Sequence, residues 1–369
     1  MTLKAWTPSE LRSLRKRATA WYDSFGRDLP WRRTRDPYAI WISEIMLQQT
    51  QVATVIPYYE RFLKSFPTVG SLANAPLDQV LQHWAGLGYY RRARQLHSAA
   101  QRIEKECAGI FPTDWQTVHA LPGIGRYTAG AILSFATDQR LPIVEANTQR
   151  LYARLLHLDD DLSMQSAQSA LWQFAESVLP TRHGSGHVNQ ALMEIGSQIC
   201  LPKEPACLIC PLRPLCPTFK SGLQARIPRP KQKKSYTDLQ EAVLLIHDRE
   251  HRWLMRRSSE RERWAGLWDF PRFDITHCES ELLVRSNLKQ QFENAYECAI
   301  EIGEVMHQLK HAVTRYRILL LSFRAHLYGT RKRSRFGKME TQWVSESQLD
   351  QIALCASAKK VWQWLKRQH

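Results

Sequence analysis

The chain has 369 residues, with 51 Lys and Arg against 35 Asp and Glu, a formal net charge of +16 at pH 7. That length allows two domains with sizeable cores, and the charge favours a polyanionic partner, nucleic acid ahead of a membrane surface. No apolar run approaches a membrane span. The charged opening MTLKAWTPSELRSLRKR lacks the apolar core of a secretory signal, and eight cysteines in so long a chain do not make a disulfide framework.

In chain order, residues 1–220 read as helices joined by short turns. Leu3, Trp6, Leu11 and Leu14 space a basic amphipathic helix, and Val52, Val55, Ile56 and Tyr59 recur at three and four. Residues 221–238, SGLQARIPRPKQKKSYTD, change to prolines and basic residues and read as a linker. Beyond it EAVLLIH (241–247), HRWLMRR (251–257) and TRYRILLLSFRAHL (314–327) read as strands, with a helical segment at 279–293 and a closing helix at 357–367. The expected division is a helical domain over 1–222, a basic linker over 223–238 and an α+β domain over 239–369.

Four stretches carry chemistry. In DPYAIWISEIMLQQTQV (36–52), Asp36 and Pro37 can start a helix that places Trp41, Glu44 and Gln48 on one face. A lone helical glutamate is ordinarily solvated. Glu44 instead sits among Ile42, Ile45, Met46 and Leu47, where burial can raise its pKa toward neutrality, as a general acid needs. In GLGYYRRARQL (86–96) two tyrosines precede Arg91, Arg92 and Arg94, a composition suited to wedging into a base stack while gripping phosphates. LPGIGRYTAGAILSFA (121–136) reads as a hairpin between two helices, with Pro122 ending the first. Gly123 and Gly125 allow positive φ and open a helix N-terminus to a phosphate. Finally, Cys200, Cys207, Cys210 and Cys216 give C-x6-C-x2-C-x5-C, a thiolate set for structural zinc or a cubane iron–sulfur cluster.

Together with NQALMEIG and WAGLWDFP, these stretches and PWRRTRDPYAIWISEIMLQQTQVATVIPYY resemble MutY-type adenine DNA glycosylases of the helix–hairpin–helix superfamily over nearly the full length. The resemblance implies a mainly α glycosylase domain with an iron–sulfur loop, followed by an α+β Nudix-like domain. It implies a monomeric, bacterial-type cytoplasmic enzyme that removes adenine mispaired with 8-oxoguanine or guanine in double-stranded DNA. It makes Glu44 the acid that protonates adenine N7, with Tyr127 and Asn147 supporting the catalytic carboxylates. Trp31, Arg32, Leu47 and Gln190 match the base pocket. Gln49 and Tyr89 match residues inserted beside the lesion, and Arg91, Leu121, Gly123, Gly125, Arg126 and Thr128 fall on the DNA-binding segments. It favours a [4Fe–4S] cluster on Cys200, Cys207, Cys210 and Cys216. Lyase relatives carry a Lys where Tyr127 stands, so a monofunctional enzyme is expected.

Two departures stand out. The family's Val-Asp-Gly-Asn is here Val144-Glu145-Ala146-Asn147, which makes Glu145 the sugar-face carboxylate with one extra methylene of reach. The family's Phe-Ser-His lesion-reading tip is here Val313-Thr314-Arg315, which predicts a weakened preference for 8-oxoguanine over guanine. The Glu-rich Nudix box is missing, so no Mg²⁺-dependent hydrolysis is expected. A glycosylase for another base and an inactive iron–sulfur mispair sensor are the competing readings.

Overall fold

A computed structural model describes residues 3–229, 235–260, 262–278, 280–328 and 339–368. The helical part runs through α1 (Pro8–Phe25), α2 (Pro37–Leu47), α3 (Val52–Ser65), α4 (Val69–Asn74), α5 (Leu77–Trp84), α6 (Arg91–Cys107) and α7 (Trp115–His119). It continues through α8 (Arg126–Thr137), α9 (Ala146–Leu156), α10 (Gln165–Val178), α11 (Ser185–Gln198) and the one-turn α12 (Pro217–Lys220). The later part carries β1 (Thr237–Leu245), β2 (Trp253–Arg257), β3 (Trp268–Asp269), β4 (Arg272–Asp274), α13 (Glu281–Tyr296), β5 (Ile300–Val313), β6 (Tyr316–Leu327), β7 (Thr341–Val344), α14 (Glu346–Leu349) and α15 (Ala356–Leu365). Contacts gather residues 1–74 and 95–232 into one compact unit, and 75–94 with 233–369 into another. Helix α5 and the loop after it therefore cluster with the C-terminal residues. No described helix is long and apolar enough to cross a membrane.

Within the first unit, α2 is the innermost helix. Asp36 caps it by accepting from the backbone N–H of Tyr38 (3.0 Å) and Ala39 (3.3 Å), and Pro37 occupies the first turn, where its missing N–H costs nothing. Every residue from Tyr38 to Met46 is buried, as a helix apolar on all sides requires. It packs on α3 and α8. A second core joins Leu14 and Ala18 of α1 to α9, α10 and α11.

Ile227 is fully buried in that second core, and its carbonyl accepts from Arg154 Nε at 2.8 Å. The stretch expected as linker is thus not uniform. Leu223 and Ile227 pack on the helices, β1 already begins at Thr237, and only 230–234 lie outside the described residues. Composition misleads here because two apolar side chains among prolines and arginines suffice to anchor a segment.

The second unit holds a four-stranded sheet ordered β4-β1-β6-β5, with β1 and β6 parallel and the other pairs antiparallel, and a three-stranded sheet β3-β2-β7. Helix α13 covers a core of Ala242, Leu244, Phe273, Leu288, Phe292 and Phe323. Strand β5 was not expected. Its register shifts between Ile302 and Val305 and again before His307, which breaks the two-residue alternation that identifies a strand. The strand read at 314–327 begins at Tyr316, because Thr314 and Arg315 form the turn between β5 and β6, Thr314 with φ +54°.

Removing the α2 cap tests how far this helix depends on it. Asp36→Ala is expected to lower unfolding free energy by about 1 kcal/mol, seen as a lower urea midpoint with an unchanged m-value.

Candidate active site

A cavity in the first unit is lined by Glu44 and Leu47 of α2, Trp31 and Arg32 of the 3-10 turn Pro30–Arg32, Tyr127 of α8, Glu145 and Asn147 at the start of α9, and Gln190 and Glu194 of α11. Glu44 is 3% exposed. Burial pushes its carboxyl up to about 7; the hydrogen bond from Tyr127 and the Arg32 charge oppose that rise, and the Glu145 charge adds to it. Tyr127 donates its hydroxyl to Oε2 of Glu44. Burial and the two carboxylates lift the tyrosine well above its ordinary pKa, so it stays a donor. With Oε2 accepting, Oε1 is the oxygen on which Glu44 can carry a transferable proton.

Glu145 is differently held. It is the N-cap of α9, where its carboxylate accepts from the backbone N–H of Asn147 and of Thr148 (2.8 Å each) and from Asn147 Nδ2 (3.2 Å). Thr148 closes the box by accepting from the Glu145 N–H at 2.8 Å. Burial raises the Glu145 pKa, and the N–H donors and the Arg150 charge pull it back. Ala146 is the first helical residue and is not among those with positive φ, so its Cβ strains nothing. Arg150 then bridges the Asn147 Oδ1 (3.0 Å), the Gly196 carbonyl (2.6 Å) and the Cys200 carbonyl (2.5 Å).

Sequence reasoning missed Glu194 and Arg27. Glu194 is 1% exposed, and its carboxylate accepts from the Arg27 backbone N–H (3.1 Å), Arg27 Nε (2.6 Å) and Nη2 (2.8 Å), and Arg32 Nη2 (2.7 Å). Burial alone would raise its pKa, but the two guanidinium groups win and hold it at about 2. The available signal was the i, i+4 spacing of Gln190 and Glu194, which puts both on one face of a helix. Their arginine partners lie more than 160 residues earlier.

The expected DNA-facing residues divide. Gln49, just past the end of α2, has φ +58°; Tyr89 has φ +47° and is half exposed. A left-handed backbone at a non-glycine residue is strained and concentrates at ligand clamps. Gly123 has φ +79°, whereas Gly125 has φ −94° and only open space where a Cβ would stand. Gly125 therefore leaves its backbone bare without needing a conformation reserved for glycine. Leu121 and Thr128 are buried, and the Thr128 hydroxyl accepts from Gln48 at 3.4 Å. Arg126 is exposed and lies over Trp172 at 3.8 Å. Arg91 is exposed, but Arg92 is buried and braces the loop by donating to the carbonyls of Leu87 (3.3 Å) and Gly88 (3.1 Å). Arg94 donates to the Ala265 carbonyl. Arg92 and Arg94 are therefore not free phosphate arms.

In the second unit Val313 ends β5 and only Thr314 and Arg315 form the hairpin tip. The Thr314 hydroxyl donates to the Val313 carbonyl (2.7 Å), and Arg315 Nη2 donates to the Tyr316 hydroxyl (2.9 Å). Buried carboxylates of this unit are matched by arginine: Glu241 by Arg263 and Arg272, and Asp269 by Arg272.

Cys200, Cys207, Cys210 and Cys216 line one enclosed cavity beside Arg154, whose Nη1 donates to Cys200 Sγ at 3.2 Å. Burial raises the thiol pKa of Cys200 and Cys216 and pushes Cys210 up to about 12, so thiolates there require a positive group among them. Among the described residues no three His, Cys, Asp or Glu side chains are gathered closely enough for a single metal ion. Four cysteine sulfurs on one enclosed cavity are a donor set that fits a thiolate-bound metal group.

Residues 42–177 match the HhH-GPD superfamily base excision DNA repair protein family, and 242–364 match the NUDIX domain. An adenine DNA glycosylase from Buchnera aphidicola subsp. Acyrthosiphon pisum is 37% identical over 302 residues, covering 82% of this chain and 84% of its own. The adenine DNA glycosylase of Homo sapiens is 31% identical, covering 96% of this chain and 74% of its own. A thermostable thymine-DNA glycosylase structure aligns with a TM-score of 0.53 at 27% identity, over 58% of this chain and 98% of that one.

The two carboxyls are coupled, and substitutions shift Glu44 in opposite directions. Tyr127→Phe removes a donor that favours the ionised form, so the Glu44 pKa rises. Glu145→Gln removes a neighbouring negative charge, so it falls. Carboxyl ¹³C titration of the protein labelled at glutamate measures both.

Proposed function

The chain belongs to the adenine DNA glycosylases, enzymes of base excision repair, and from that premise we propose that it hydrolyses the N-glycosidic bond of adenine opposite 8-oxoguanine or guanine, without lyase action. DNA is the partner, and the target adenine is turned out of the duplex, the only way its glycosidic bond reaches an enclosed carboxyl. The observation that carries the reading is the pair of carboxyls on one cavity. Glu44 keeps its proton up to about pH 7, and Glu145 is anchored by three N–H groups. Two carboxyls in different surroundings on one cavity supply an acid and a charge stabiliser.

The proposed steps follow from these residues. Glu44 transfers the proton on Oε1 to adenine N7. The C1′–N9 bond breaks, its electron pair leaving with the base. Glu145 faces the oxocarbenium-like C1′, water adds there and gives up a proton to the Glu44 carboxylate, and the products are adenine and an abasic sugar. Tyr127 orients Glu44 and offers no amine for a Schiff base, which supports the monofunctional outcome. Trp31, Arg32, Leu47 and Gln190 form the base pocket. Gln49 and Tyr89 enter the stack, and Gly123, Gly125 and Arg126 meet phosphate. Val313, Thr314 and Arg315 stand at the lesion tip, where the absence of an aromatic plug favours reduced preference for 8-oxoguanine. The four cysteines would hold a [4Fe–4S] cluster, whose positive core would favour their thiolate forms, and Arg154 joins Cys200 to α9. Anaerobically purified protein is expected to contain iron and sulfide in equal amounts, and Cys207→Ser to lose both.

The Glu145 carboxylate is held in the capping ring while Glu145 lines the cavity, and we infer that the extra methylene displaces it from the position that the family's shorter aspartate takes. Glu145→Asp is therefore expected to speed the reaction, and Glu145→Gln to slow it on the order of 100- to 1,000-fold. Single-turnover cleavage of duplexes with adenine opposite 8-oxoguanine, guanine or cytosine, read with and without alkali, tests the reading. Strand breaks should require alkali. The rate should fall above pH 7, where Glu44 ionises, and fall again in acid, where Glu145 is protonated. Binding without abasic product would overturn it.

A further inference from the structure

Behind the base pocket stands Tyr22 of α1, which does not line the cavity. Its hydroxyl donates to Gln190 Oε1 at 2.6 Å. The ring is held in turn. The Arg32 guanidinium lies over it at 5.1 Å, and the His187 ring meets it edge-on at 5.3 Å.

That single bond decides which end of the Gln190 amide enters the cavity. Reversing the amide would put its NH2 against the phenol and take away the acceptor that the hydroxyl now bonds. In the orientation Tyr22 enforces, Oε1 is occupied, and Gln190, which lines the cavity, keeps its amide nitrogen for a ligand. Gln190 then presents hydrogen-bond donors only.

The neighbouring acceptor is already engaged. Glu194 receives four N–H bonds from Arg27 and Arg32, which uses its lone pairs. We propose that Tyr22 is a positioning and specificity residue: it locks Gln190 as a donor that reads a ring-nitrogen acceptor of the flipped purine and disfavours a base carrying N–H at that place. The proposal rests on the adenine-release reading above. Recognition by an oriented amide in an enclosing pocket discriminates strongly, because a mismatched base leaves a polar group unpaired.

The test crosses a protein change with an atom change in the substrate. Single-turnover release is measured for adenine, 1-deazaadenine and 3-deazaadenine in the same duplex, with the unsubstituted enzyme and with Tyr22→Phe. One deaza analogue lacks the nitrogen that Gln190 reads. Tyr22→Phe is expected to slow adenine and the other analogue by about five- to tenfold, and to leave the rate on that one analogue unchanged. Gln190→Glu keeps the acceptor for Tyr22 but removes the donor, and should show the same selectivity loss, with no further loss on adding Tyr22→Phe.

Equal slowing on all three substrates, or no slowing on any, would overturn the role of Tyr22 and leave the adenine reading standing. Failure of the unsubstituted enzyme to release adenine would instead overturn that reading, and the proposal with it.

Discussion

The site depends on one constraint: a carboxyl group sits in the middle of a helix that has no polar face. Helix α2 is buried from Tyr38 to Met46, and Glu44 lies within that run. Ionising a group there costs the hydration it has lost. The surroundings return only part of that cost, through one phenol and the Arg32 charge, so the proton stays to about pH 7. A fuller set of donors would have made Glu44 an ordinary anion. Its partner is held differently: Glu145 is only partly buried and takes three N–H donors at a helix start, where backbone dipoles favour negative charge and oppose the rise that burial causes. The two carboxyls differ in burial and in hydrogen-bond supply.

Helix α9 extends this supply from one chemical environment to another. Its first turn caps Glu145. Arg150, one turn on, holds Asn147 and the Cys200 carbonyl, and Arg154, a turn farther, holds Cys200 Sγ and the carbonyls of Leu201, Gln224 and Ile227. The i, i+4 spacing of the two arginines is what lets one helix face do this. Buried guanidinium groups are stable only where carbonyls and carboxylates surround them, and here they bind the chain's late return, through Ile227, to the helix that presents the carboxylate.

Much of this was legible from residue order, and the remainder was hidden for physical reasons. Glu44 announced itself by its apolar neighbours, Asp36 by its place before a proline, and the four cysteines by their spacing. The Glu194 ion pairs could not be seen, because both arginines come from a turn far away in sequence. Arg92 and Arg94 were misread for a related reason: composition reports a guanidinium but not whether it faces solvent or a carbonyl. Gly125 was credited with a conformation it does not adopt. Strand β5 was hidden by its irregular register. Local signals failed where the deciding contact leaves no mark in the order of residues, whether it lies far along the chain, as for Glu194, or a few residues away, as for Arg92.

The substitution of Glu for Asp at 145 can be followed through on the same grounds. A longer carboxylate at a helix start has two options, to reach outward or to fold back. Folding back wins here because two backbone N–H groups and the Asn147 amide lie within bonding distance, and reaching outward would leave all three without that acceptor. Ala146 permits it, since the position is ordinary helix. The cap is therefore preserved, and what the extra methylene changes is how far the carboxylate stands from the backbone of α9. In the proposed role a shift of about 1 Å alters rate more than affinity, while Glu44 still feels the same single charge through space.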